Sequence, residues 1–432
     1  TSTWFPPEPG NRSLRARAPS ARAHACSPLN GTGAMLHPQA APGPHEAALR
    51  LARVPEFALG EILRTSLRFG ALDLALGVPE LPIPPGVREA AADAILHGAN
   101  QYVNTWGLQA LREAVAAKAR ACQGVEVDPD TEVTVTCGST EGFLSSLSSV
   151  VGAGDEVVLF EPLYEPHLAA VLYLGAVPRF VSLHAPGWSF DPAGLERAFG
   201  PRTRAVVVNT PANPTGKVFT RAELGQVAAL CDRWDAVCVS DEIYEHMVFD
   251  GREHRSPLAV DGLRERTLSV SGISKTFRVS GWRIGYVLAA PHLSRAMRKV
   301  HDLTTAGVAS PLQAAAAQVL GAGPGYYQEL IRDHQERRRR LTGLLEPLGF
   351  TCHPAQGSCF MMADVGAFGF PDAAAFVHHL IRTCRVVMAP GSVFYSQPGD
   401  GRTMVRVCFA KTDATLDEAA VRLRALAQKS AA

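Results

Sequence analysis

Residues 267–283 read TLSVSGISKTFRVSGWR, and this stretch contains the features that decide the fold. The run TLSVS (267–271) is short and apolar, and we predict that it forms a strand buried on both faces of a sheet. Lys275 follows this strand closely, and Arg283 comes eight residues after the lysine. Open α/β sheets bind ligands just beyond the carboxyl ends of their strands. The stretch therefore predicts a strand that ends at a candidate ligand site.

Similar apolar runs occur elsewhere between residues 130 and 290, separated by segments with helical patterns. Thr220 and Glu223 form a capping-box pattern that predicts a helix near 221–233. Alternation of strands and helices favours an α/β fold with a large, doubly wound, mostly parallel sheet. The other predicted strands are TEVTV (centred on 132–135), EVVLF (156–160), AVPRFVSL (176–183), RAVVVN (204–209), AVCVS (236–240) and IGYVLAA (284–290).

The last third of the chain has a different pattern, which predicts a smaller α+β domain. Two helices are expected at 322–347 and 371–382, with short strands near 359–363 and 403–409. Thr415 and Glu418 predict the cap of a final helix. We therefore divide the chain into an N-terminal extension (1–46), a segment joining the small domain (47–80), a large ligand-binding domain (81–320) and a C-terminal small domain (321–432).

The N-terminal extension differs from the rest of the chain in composition. Its first 34 residues are rich in Pro, Arg, Ser and Ala, contain one acidic residue, Glu8, and show no hydrophobic period. Segments of this kind bury too little apolar surface to fold. We interpret residues 1–46 as a disordered or non-native extension, with Met35 as a candidate start.

Composition and charge argue against several classes of protein. The net charge of +1 gives no reason to expect nucleic acid or an anionic membrane as a partner, and no apolar run reaches the roughly 18–20 residues of a membrane helix. The nine cysteines show no C-x-x-C pair and no metal-ligand spacing. We expect reduced thiols, no metal site and a cytoplasmic location. The arginines at 337–340 lie in a helical pattern near acidic residues and predict a solvated helix face.

Polar residues in four segments carry the candidate chemistry. An amide and a phenol can hold an anionic oxygen, a carboxylate past a buried strand can hold a protonated ring nitrogen, and an arginine near a helix start can hold a phosphate. A lysine amine can condense with an aldehyde. The segments are Asn213-Pro214-Thr215-Gly216, Ser240-Asp241-Glu242-Ile243-Tyr244, Ser274-Lys275-Thr276-Phe277 and Gly281-Trp282-Arg283. A further segment, Gly138-Ser139-Thr140-Glu141, follows a predicted strand and opens a helix.

In this order and spacing the segments resemble the fold-type I, class I and II aminotransferases, and within them the kynurenine/glutamine transaminase and aspartate-transaminase-like branch. The resemblance covers about residues 47–428 and implies pyridoxal phosphate (PLP) as the cofactor. It implies that Lys275 holds PLP as a Schiff base, that Asp241 holds the ring nitrogen, and that Asn213 and Tyr244 hold the ring oxygen. Lys275, Asp241 and Tyr244 are the candidate catalytic residues, and Ser139, Thr140, Ser274 and Arg283 are the candidate phosphate ligands.

The resemblance implies further roles outside these segments. Tyr164, in EPLYEPH, resembles the aromatic residue that stacks on the cofactor ring, and Arg406, in MVRVCFA, resembles the arginine that binds the substrate carboxylate. Gly77 resembles the glycine that lies against the substrate, together with Asn213. Tyr102, in NQY, resembles the tyrosine that reaches the cofactor phosphate of a neighbouring subunit, which implies a homodimer.

The sequence departs from the family pattern at two positions. Many relatives have a phosphate-binding serine three residues before the lysine, where this chain has Gly272, so that Ser274 or Ser271 would have to compensate. An acidic residue that is Asp in the family is Glu80 here. Trp106, Phe394 and Tyr395 suggest that the substrate side chain is apolar or aromatic.

These features predict a ping-pong aminotransferase that moves an amino group between an L-amino acid and a 2-oxo acid. PLP-dependent lyases, cyclases and oxidases share the same lysine, aspartate and arginine, so the motifs leave these reactions open. A transcription regulator with an aminotransferase-like domain is a third alternative. Such a regulator needs an N-terminal winged helix, which the 46 residues before the match do not predict.

Overall fold

A seven-stranded sheet forms the centre of the fold. The computed structural model describes residues 49–56, 59–98, 100–397 and 399–427, so the predicted extension 1–46 lies outside the described residues. The strands are β1 (Leu72–Asp73), β2 (Val133–Cys137), β3 (Glu156–Glu161), β4 (Val177–Ser182), β5 (Thr203–Asn209), β6 (Val237–Asp241), β7 (Thr267–Gly272), β8 (Ile284–Ala289), β9 (Thr351–His353), β10 (Phe360–Asp364), β11 (Val386–Val387), β12 (Ala389–Pro390) and β13 (Met404–Cys408).

The strand order in the large sheet is β2-β8-β7-β6-β5-β3-β4. All neighbouring pairs are parallel except those that β8 forms with β2 and β7. Six strands therefore run in one direction and β8 runs against them. The predicted apolar runs of the large domain all form strands, within two residues of the expected bounds. The predicted α/β fold with a mostly parallel sheet is confirmed.

Helices cover both faces of this sheet, which explains why the strand runs are almost continuously apolar. Val157 and Val158 are neighbours in β3 and are both fully buried, but they belong to different core clusters on opposite faces. The helices are α1 (Leu49–Ala52), α2 (Leu59–Arg68), α3 (Val87–His97), α4 (Gln109–Gln123), α5 (Gly138–Ser148), α6 (Glu165–Tyr173), α7 (Pro192–Ala198), α8 (Arg221–Trp234), α9 (Pro291–Thr304), α10 (Ser310–Val319), α11 (Pro324–Leu345), α12 (Ala373–Thr383) and α13 (Asp413–Ala427).

A second, antiparallel sheet with the order β12-β13-β10-β9 forms in the C-terminal part of the chain. A short parallel pair joins β1, near the N-terminus, to β11. The described residues, from 49 to 427, cluster as one compact unit, and its division at residues 81 and 321 stays a prediction. Among the helices at described positions, none combines the length and apolarity that a bilayer crossing requires.

Helix ends test two of the capping predictions. At the start of α8, Thr220 accepts from the backbone N–H of Glu223, and Glu223 accepts from the backbone N–H of Thr220, which confirms the predicted capping box. The prediction that Thr415 caps the last helix is wrong. The helix α13 begins at Asp413, and Thr412 Oγ1 accepts from the backbone N–H of Thr415.

Candidate active site

One edge of the large sheet gathers nearly all the predicted site residues around a cavity of about 850 Å³. This edge contains the carboxyl ends of the parallel strands and, because β8 runs against them, the beginning of β8. The connections after β2, β3, β5, β6 and β7 and before β8 all contribute. The predicted residues that line the cavity are Gly77, Ser139, Thr140, Tyr164, Asn213, Asp241, Tyr244, Ser274, Lys275, Arg283 and Arg406.

Lys275 lies at this edge, in the turn after β7. Its Nζ donates to the backbone oxygen of Gly77 at 2.7 Å. A Cβ on Gly77 would lie 2.3 Å from Cζ of Phe360, so a larger residue would force the backbone or this ring to move. Glycine at this position therefore lets the chain pass close enough for its carbonyl to reach the lysine.

Asp241 is the last residue of β6 and is 6% exposed. Its Oδ1 accepts from the backbone N–H of Ile243 at 3.2 Å, and its Oδ2 lies 3.0 Å from His167 Nε2. His167 is itself buried and stacks on Phe143, with 4.2 Å between ring centroids. The carboxylate is therefore held in one orientation by two partners.

His167 was missed by the sequence analysis, although its signal is present there. It stands three residues after Tyr164 in EPLYEPH, and the helix α6 begins between them. Residues three or four apart on a helix share a face. A histidine at this spacing from an aromatic site residue could have been assigned to the same cavity.

Arg406 extends from β13 and is buried, with 4% exposure. Its Nη1 donates to Asn213 Oδ1 at 2.7 Å, and its Nη2 donates to the backbone oxygen of Ala75 at 2.6 Å. Its guanidinium carbon lies 4.0 Å from the ring centroid of Phe360 and 4.7 Å from that of Phe394. Burial lowers the pKa of Arg406 from its ordinary value, but an arginine stays charged in proteins.

One nitrogen of this guanidinium, Nε of Arg406, is buried and has no hydrogen-bond partner. A buried donor without a partner is unfavourable, and it is a common sign of a missing ligand or water. Arg406 therefore presents unused hydrogen-bonding capacity beside the cavity, as a site for an anion requires.

Two tyrosines line the cavity beside Asp241. Burial raises the pKa of Tyr164 from its ordinary value, and the neighbouring Asp241 raises it further. Burial also raises the pKa of Tyr244 well above its ordinary value. Both phenols therefore keep their protons at neutral pH and can act as hydrogen-bond donors.

The start of α5 and Arg283 form a candidate anion site. The helix starts at Gly138, and Ser139 and Thr140 follow in its first turn. A Cβ on Gly138 would lie 2.2 Å from Nη2 of Arg283, and a Cβ on Gly285 would lie 2.5 Å from the carbonyl carbon of Gly138. The two glycines therefore let β8 and the guanidinium approach the helix start closely. Backbone N–H groups, hydroxyls and a fixed cation form the donor set that phosphate requires.

The structure accounts for the departure at Gly272. A Cβ at this position would lie 2.8 Å from the backbone oxygen of Ile284, so a serine there would force the neighbouring strand to move. Ser271 donates to Glu245 Oε1 at 2.6 Å, away from the cavity, whereas Ser274 lines the cavity. Of the two serines that could compensate, Ser274 is therefore the one in reach.

Tyr102 does not line the cavity of its own chain and is 92% exposed.

Of the three aromatic residues suggested for the substrate side chain, Phe394 lines the cavity, but Trp106 and Tyr395 do not. Trp106 lies under the guanidinium of Arg298, 4.1 Å from ring centroid to carbon. Trp106 and Tyr395 therefore give no support from within this chain, and the expected apolar or aromatic substrate side chain stays a prediction.

The arginines at 337–340 are each paired with acidic side chains, but the predicted solvated face is only partly correct. The side chain of Arg339 is 76% exposed, whereas those of Arg337 and Arg338 are 12% and 14% exposed. Within the described ranges, no group of three or more His, Cys, Asp or Glu side chains is placed to hold a metal ion. The four arginines form six ion pairs: Arg337 with Asp333 and Asp413, Arg338 with Asp250, Arg339 with Glu336, and Arg340 with Asp413 and Asp417.

Comparison with known proteins identifies the family. A sequence model described as "Aminotransferase class I and II" matches residues 70–423. A probable N-succinyldiaminopimelate aminotransferase from Mycobacterium tuberculosis is 36% identical over 382 residues, which is 86% of this chain and 96% of the relative. Human kynurenine–oxoglutarate transaminase 1 is 33% identical, over 84% of this chain and 94% of the relative.

A solved structure of a methionine aminotransferase from Escherichia coli superimposes with a TM-score of 0.84 at 33% identity. The match covers 88% of this chain and all of that structure. These relatives are named aminotransferases, and they favour amino-group transfer over the lyase, cyclase and oxidase alternatives. The chain therefore belongs to the class I and II aminotransferases, the family that its motifs resemble.

Proposed function

We propose that this aminotransferase uses PLP, held covalently by Lys275, to move the amino group of an L-amino acid to a 2-oxo acid in two half-reactions. One observation carries the proposal. The amine of Lys275 and the guanidinium of Arg406 are bound by backbone oxygens two residues apart, those of Gly77 and Ala75. The amine and the guanidinium are thus held by one short segment of chain beside the same cavity, where one amino acid could engage both groups.

The cavity lining has the donors and acceptors that PLP requires. Ser139, Thr140, Ser274 and Arg283 would hold the phosphate, and Asp241 would hold the protonated ring nitrogen. The buried carboxylate of Asp241, fixed by His167, supports the second role because it has the charge that a pyridinium needs. When bound, PLP supplies an aldehyde that condenses with amines and a ring that accepts electrons.

Two further side chains would hold the ring oxygen of the cofactor, and one would cover its face. Asn213 and Tyr244 offer an amide and a protonated phenol at the cavity wall. Tyr164 offers an aromatic ring on the same wall. Since Asn213 also accepts from Arg406 at 2.7 Å, it would couple the cofactor subsite to the substrate subsite.

Lys275 and Arg406 would act on the substrate directly. Arg406 binds the α-carboxylate in a bidentate manner, which orients the α-carbon. Nζ of Lys275 takes the α-proton from that carbon and later returns a proton, so that one amine serves as base and then as acid. The 2-oxo acid leaves before the second substrate binds, and the amino group stays with the enzyme between the two half-reactions.

We infer a homodimer in which Tyr102 reaches the cofactor phosphate of the partner subunit. Its 92% exposure supports this inference, because a side chain that serves a neighbouring subunit must be accessible on the surface of its own chain. Leu96 and Leu303, at 74% and 87% exposure, are further apolar side chains that a partner could cover.

We infer that the preferred substrate side chain is apolar. In the part of the chain that the structure describes, the lysine and arginine side chains that line the cavity are Lys275, Arg283 and Arg406. Each of these three has a proposed role, which leaves no fourth cation from the same chain for a second carboxylate. Leu51, Val54, Leu59, Val78 and Leu144 also line the cavity and offer an apolar surface.

A donor panel tests the proposal. The purified protein is loaded with PLP, separated from free cofactor and incubated with single L-amino acids and one 2-oxo acid, and products are identified by mass spectrometry. We expect transfer from apolar amino acids in preference to aspartate or glutamate, and no transfer by Lys275→Ala. Intact mass after borohydride reduction should show PLP fixed to the wild-type chain and not to this variant. Turnover that persists without PLP or without Lys275 would overturn the proposal.

A further inference from the structure

The segment Asp73–Glu80 contributes Leu76, Gly77 and Val78 to the cavity wall and contacts the two groups that we propose act on the substrate. The backbone oxygens of Ala75 and Gly77 accept from Arg406 and Lys275, respectively. The position of this segment therefore sets the spacing between the guanidinium and the amine. Contacts that hold this segment in place therefore also determine where the proposed substrate-binding groups lie.

A buried lysine joins the two ends of this segment. Lys411 is 1% exposed, and its Nζ lies 2.8 Å from Glu80 Oε1 and 3.5 Å from Asp73 Oδ2. Burial by itself lowers the pKa of Lys411, but Cys408, Asp73 and Glu80 raise it, and the net shift is upward from its ordinary value. Lys411 therefore stays an ammonium at neutral pH.

Each carboxylate has a second contact, and the contact of Asp73 is with the backbone of the segment. Asp73 Oδ1 accepts from the backbone N–H groups of Ala75 and Leu76 at 2.7 and 3.0 Å. Glu80 Oε2 accepts from the hydroxyl of Thr415 at 2.7 Å. One oxygen of Asp73 thus orders the turn that contains Ala75, while the other faces Lys411.

The same end of β13 supplies both the lysine and the arginine. Arg406 lies in β13, and Lys411 follows it by five residues. The backbone N–H of Glu80 donates to the oxygen of Ala410 at 3.1 Å, and that of Cys408 donates to the oxygen of Leu74 at 2.8 Å. The segment and the end of β13 therefore form one connected unit, with Lys411 as its charged centre.

We propose that Lys411 is a positioning residue for substrate binding, whose ammonium holds Asp73 and Glu80 and thereby sets the distance between Lys275 and Arg406. The inference rests on the proposed function, because it assigns the substrate to these two groups. Lys411 touches neither the substrate nor the cofactor and acts through the segment Asp73–Glu80.

The partial exposure of Asp73 and Glu80 allows the role of Lys411 to be tested by mutation. The side chains of Asp73 and Glu80 are 32% and 31% exposed, so water can solvate both carboxylates when the ammonium is removed. Loss of Lys411 should therefore loosen the wall without leaving a deeply buried charge. A misplacement of about 1 Å can lower a reaction rate by about a hundredfold, so even a smaller shift of the segment is expected to have a measurable effect.

The experiment compares Lys411→Met with Lys411→Arg in the PLP-loaded full chain. We expect Lys411→Met to raise KM for the amino donor about tenfold, with kcat changed much less, because the carboxylate subsite is misplaced while the chemistry is retained. The dissociation constant of an unreactive α-methyl amino acid, measured by its change in the visible spectrum, should rise equally. PLP affinity should stay unchanged, and Lys411→Arg should restore part of the loss.

Controls separate this role from general stability. Lys217 is also a buried lysine, 3% exposed and paired with Glu223 at 2.6 Å, but it lies outside the wall segment. Lys217→Met should lower the melting temperature without changing KM. Glu80→Gln should raise KM less than Lys411→Met, and the double variant should be no worse than Lys411→Met alone. If Lys411→Met does not fold, the test uses Glu80→Gln and Asp73→Asn, which alter partly exposed side chains and should also raise KM.

The outcomes separate the inference from the proposed function. An unchanged KM in Lys411→Met, or equal losses in KM, kcat and PLP affinity, would overturn the positioning role while the proposed function stands. A wild-type protein that binds PLP but neither transfers amino groups nor binds the α-methyl amino acid would overturn the proposed function, and the positioning role with it.

Discussion

At the scale of single residues, the segment Asp241–Glu245 carries three carboxylates, and each has its own buried partners. Asp241 contacts His167. Glu242 accepts from the hydroxyls of Ser256 and Ser269 and lies 2.7 Å from His254. Glu245 pairs with Lys118, which is almost fully buried, and accepts from Ser271 and Tyr286. Tyr244 lies between Glu242 and Glu245 in the sequence. The contacts of these two carboxylates therefore restrict the position of Tyr244 at the cavity wall.

The buried pair of Lys118 and Glu245 gives a stability prediction. Burial by itself raises the pKa of Glu245, but Lys118, His246 and His254 together lower it, and the net shift is downward from its ordinary value. Lys118→Met leaves a buried carboxylate without its cation and should lower the free energy of unfolding by about 3–5 kcal/mol. Denaturant titration measures this loss.

The double variant Lys118→Met/Glu245→Gln is the matched control for this pair. It removes both charges and should recover most of the lost stability, since an uncharged pair needs no compensation. A double variant as unstable as Lys118→Met alone would mean that packing, and not the unpaired charge, causes the loss.

At the scale of elements, α11 combines a charged outer face with a buried stripe that contains His334. This histidine is 1% exposed, and its Nδ1 lies 2.8 Å from the backbone oxygen of Leu330. Burial lowers the pKa of His334 to about 4. Packing of α11 against the small antiparallel sheet therefore depends on a neutral histidine.

The lowered pKa of His334 predicts a pH dependence of stability. Above about pH 6.5 the side chain is neutral in both the folded and unfolded states. Between about pH 6.5 and 4 the unfolded chain binds a proton that the folded chain does not, so stability falls as the pH falls. His334→Gln should remove up to about 3 kcal/mol of this fall. Denaturant titrations at pH 4.5 and 7 measure this effect, with the exposed-site variant His292→Gln as the control. If both variants lose the same free energy of unfolding between pH 7 and pH 4.5, the role of His334 is contradicted.

Whether the sequence predicts an element depends on how far apart in the sequence the contacting residues lie. The capping box at Thr220 lies within four residues and was predicted correctly. Thr415 matches the same local pattern, but its hydroxyl donates to Glu80, 335 residues away, and the helix begins before it. The motif residues of the cavity were predicted because each follows a recognisable strand. The spacing of His167 from Tyr164 places it near the cavity, but its partner Asp241 is 74 residues away in the sequence, and Lys411 meets Glu80 across 331 residues. No local pattern shows either of these two pairings.

At the scale of the whole molecule, the direction of the strands explains why residues far apart in sequence meet. Parallel strands bring the turns after β2, β5, β6 and β7 to one edge, and the reversed β8 brings Arg283 to the same edge. The small antiparallel sheet adds Arg406 from the other side. A cofactor and a substrate can therefore be held between two parts of one chain, with a proposed third contribution from a partner subunit.

The proposed role of Tyr102 across the dimer predicts complementation between two defective chains. Lys275→Ala and Tyr102→Ala are coexpressed with different affinity tags, and the mixed dimer is purified. If Tyr102 serves the partner's site, one of the two sites in the mixed dimer contains both native residues and should bind PLP and turn over as in the wild type. A mixed dimer no more active than the Tyr102→Ala protein would contradict the shared site.

The central claim is that the amino group stays on the enzyme between two half-reactions. The most direct measurement adds an amino acid with isotope-labelled nitrogen to the PLP-loaded protein without any oxo acid. Small molecules are then removed by gel filtration, and an unlabelled 2-oxo acid is added. The account predicts that the labelled nitrogen appears in the newly formed amino acid, at no more than one per site, and that Lys275→Ala transfers none. Release of labelled ammonia in the first step, or no transfer unless both substrates are present together, would contradict it.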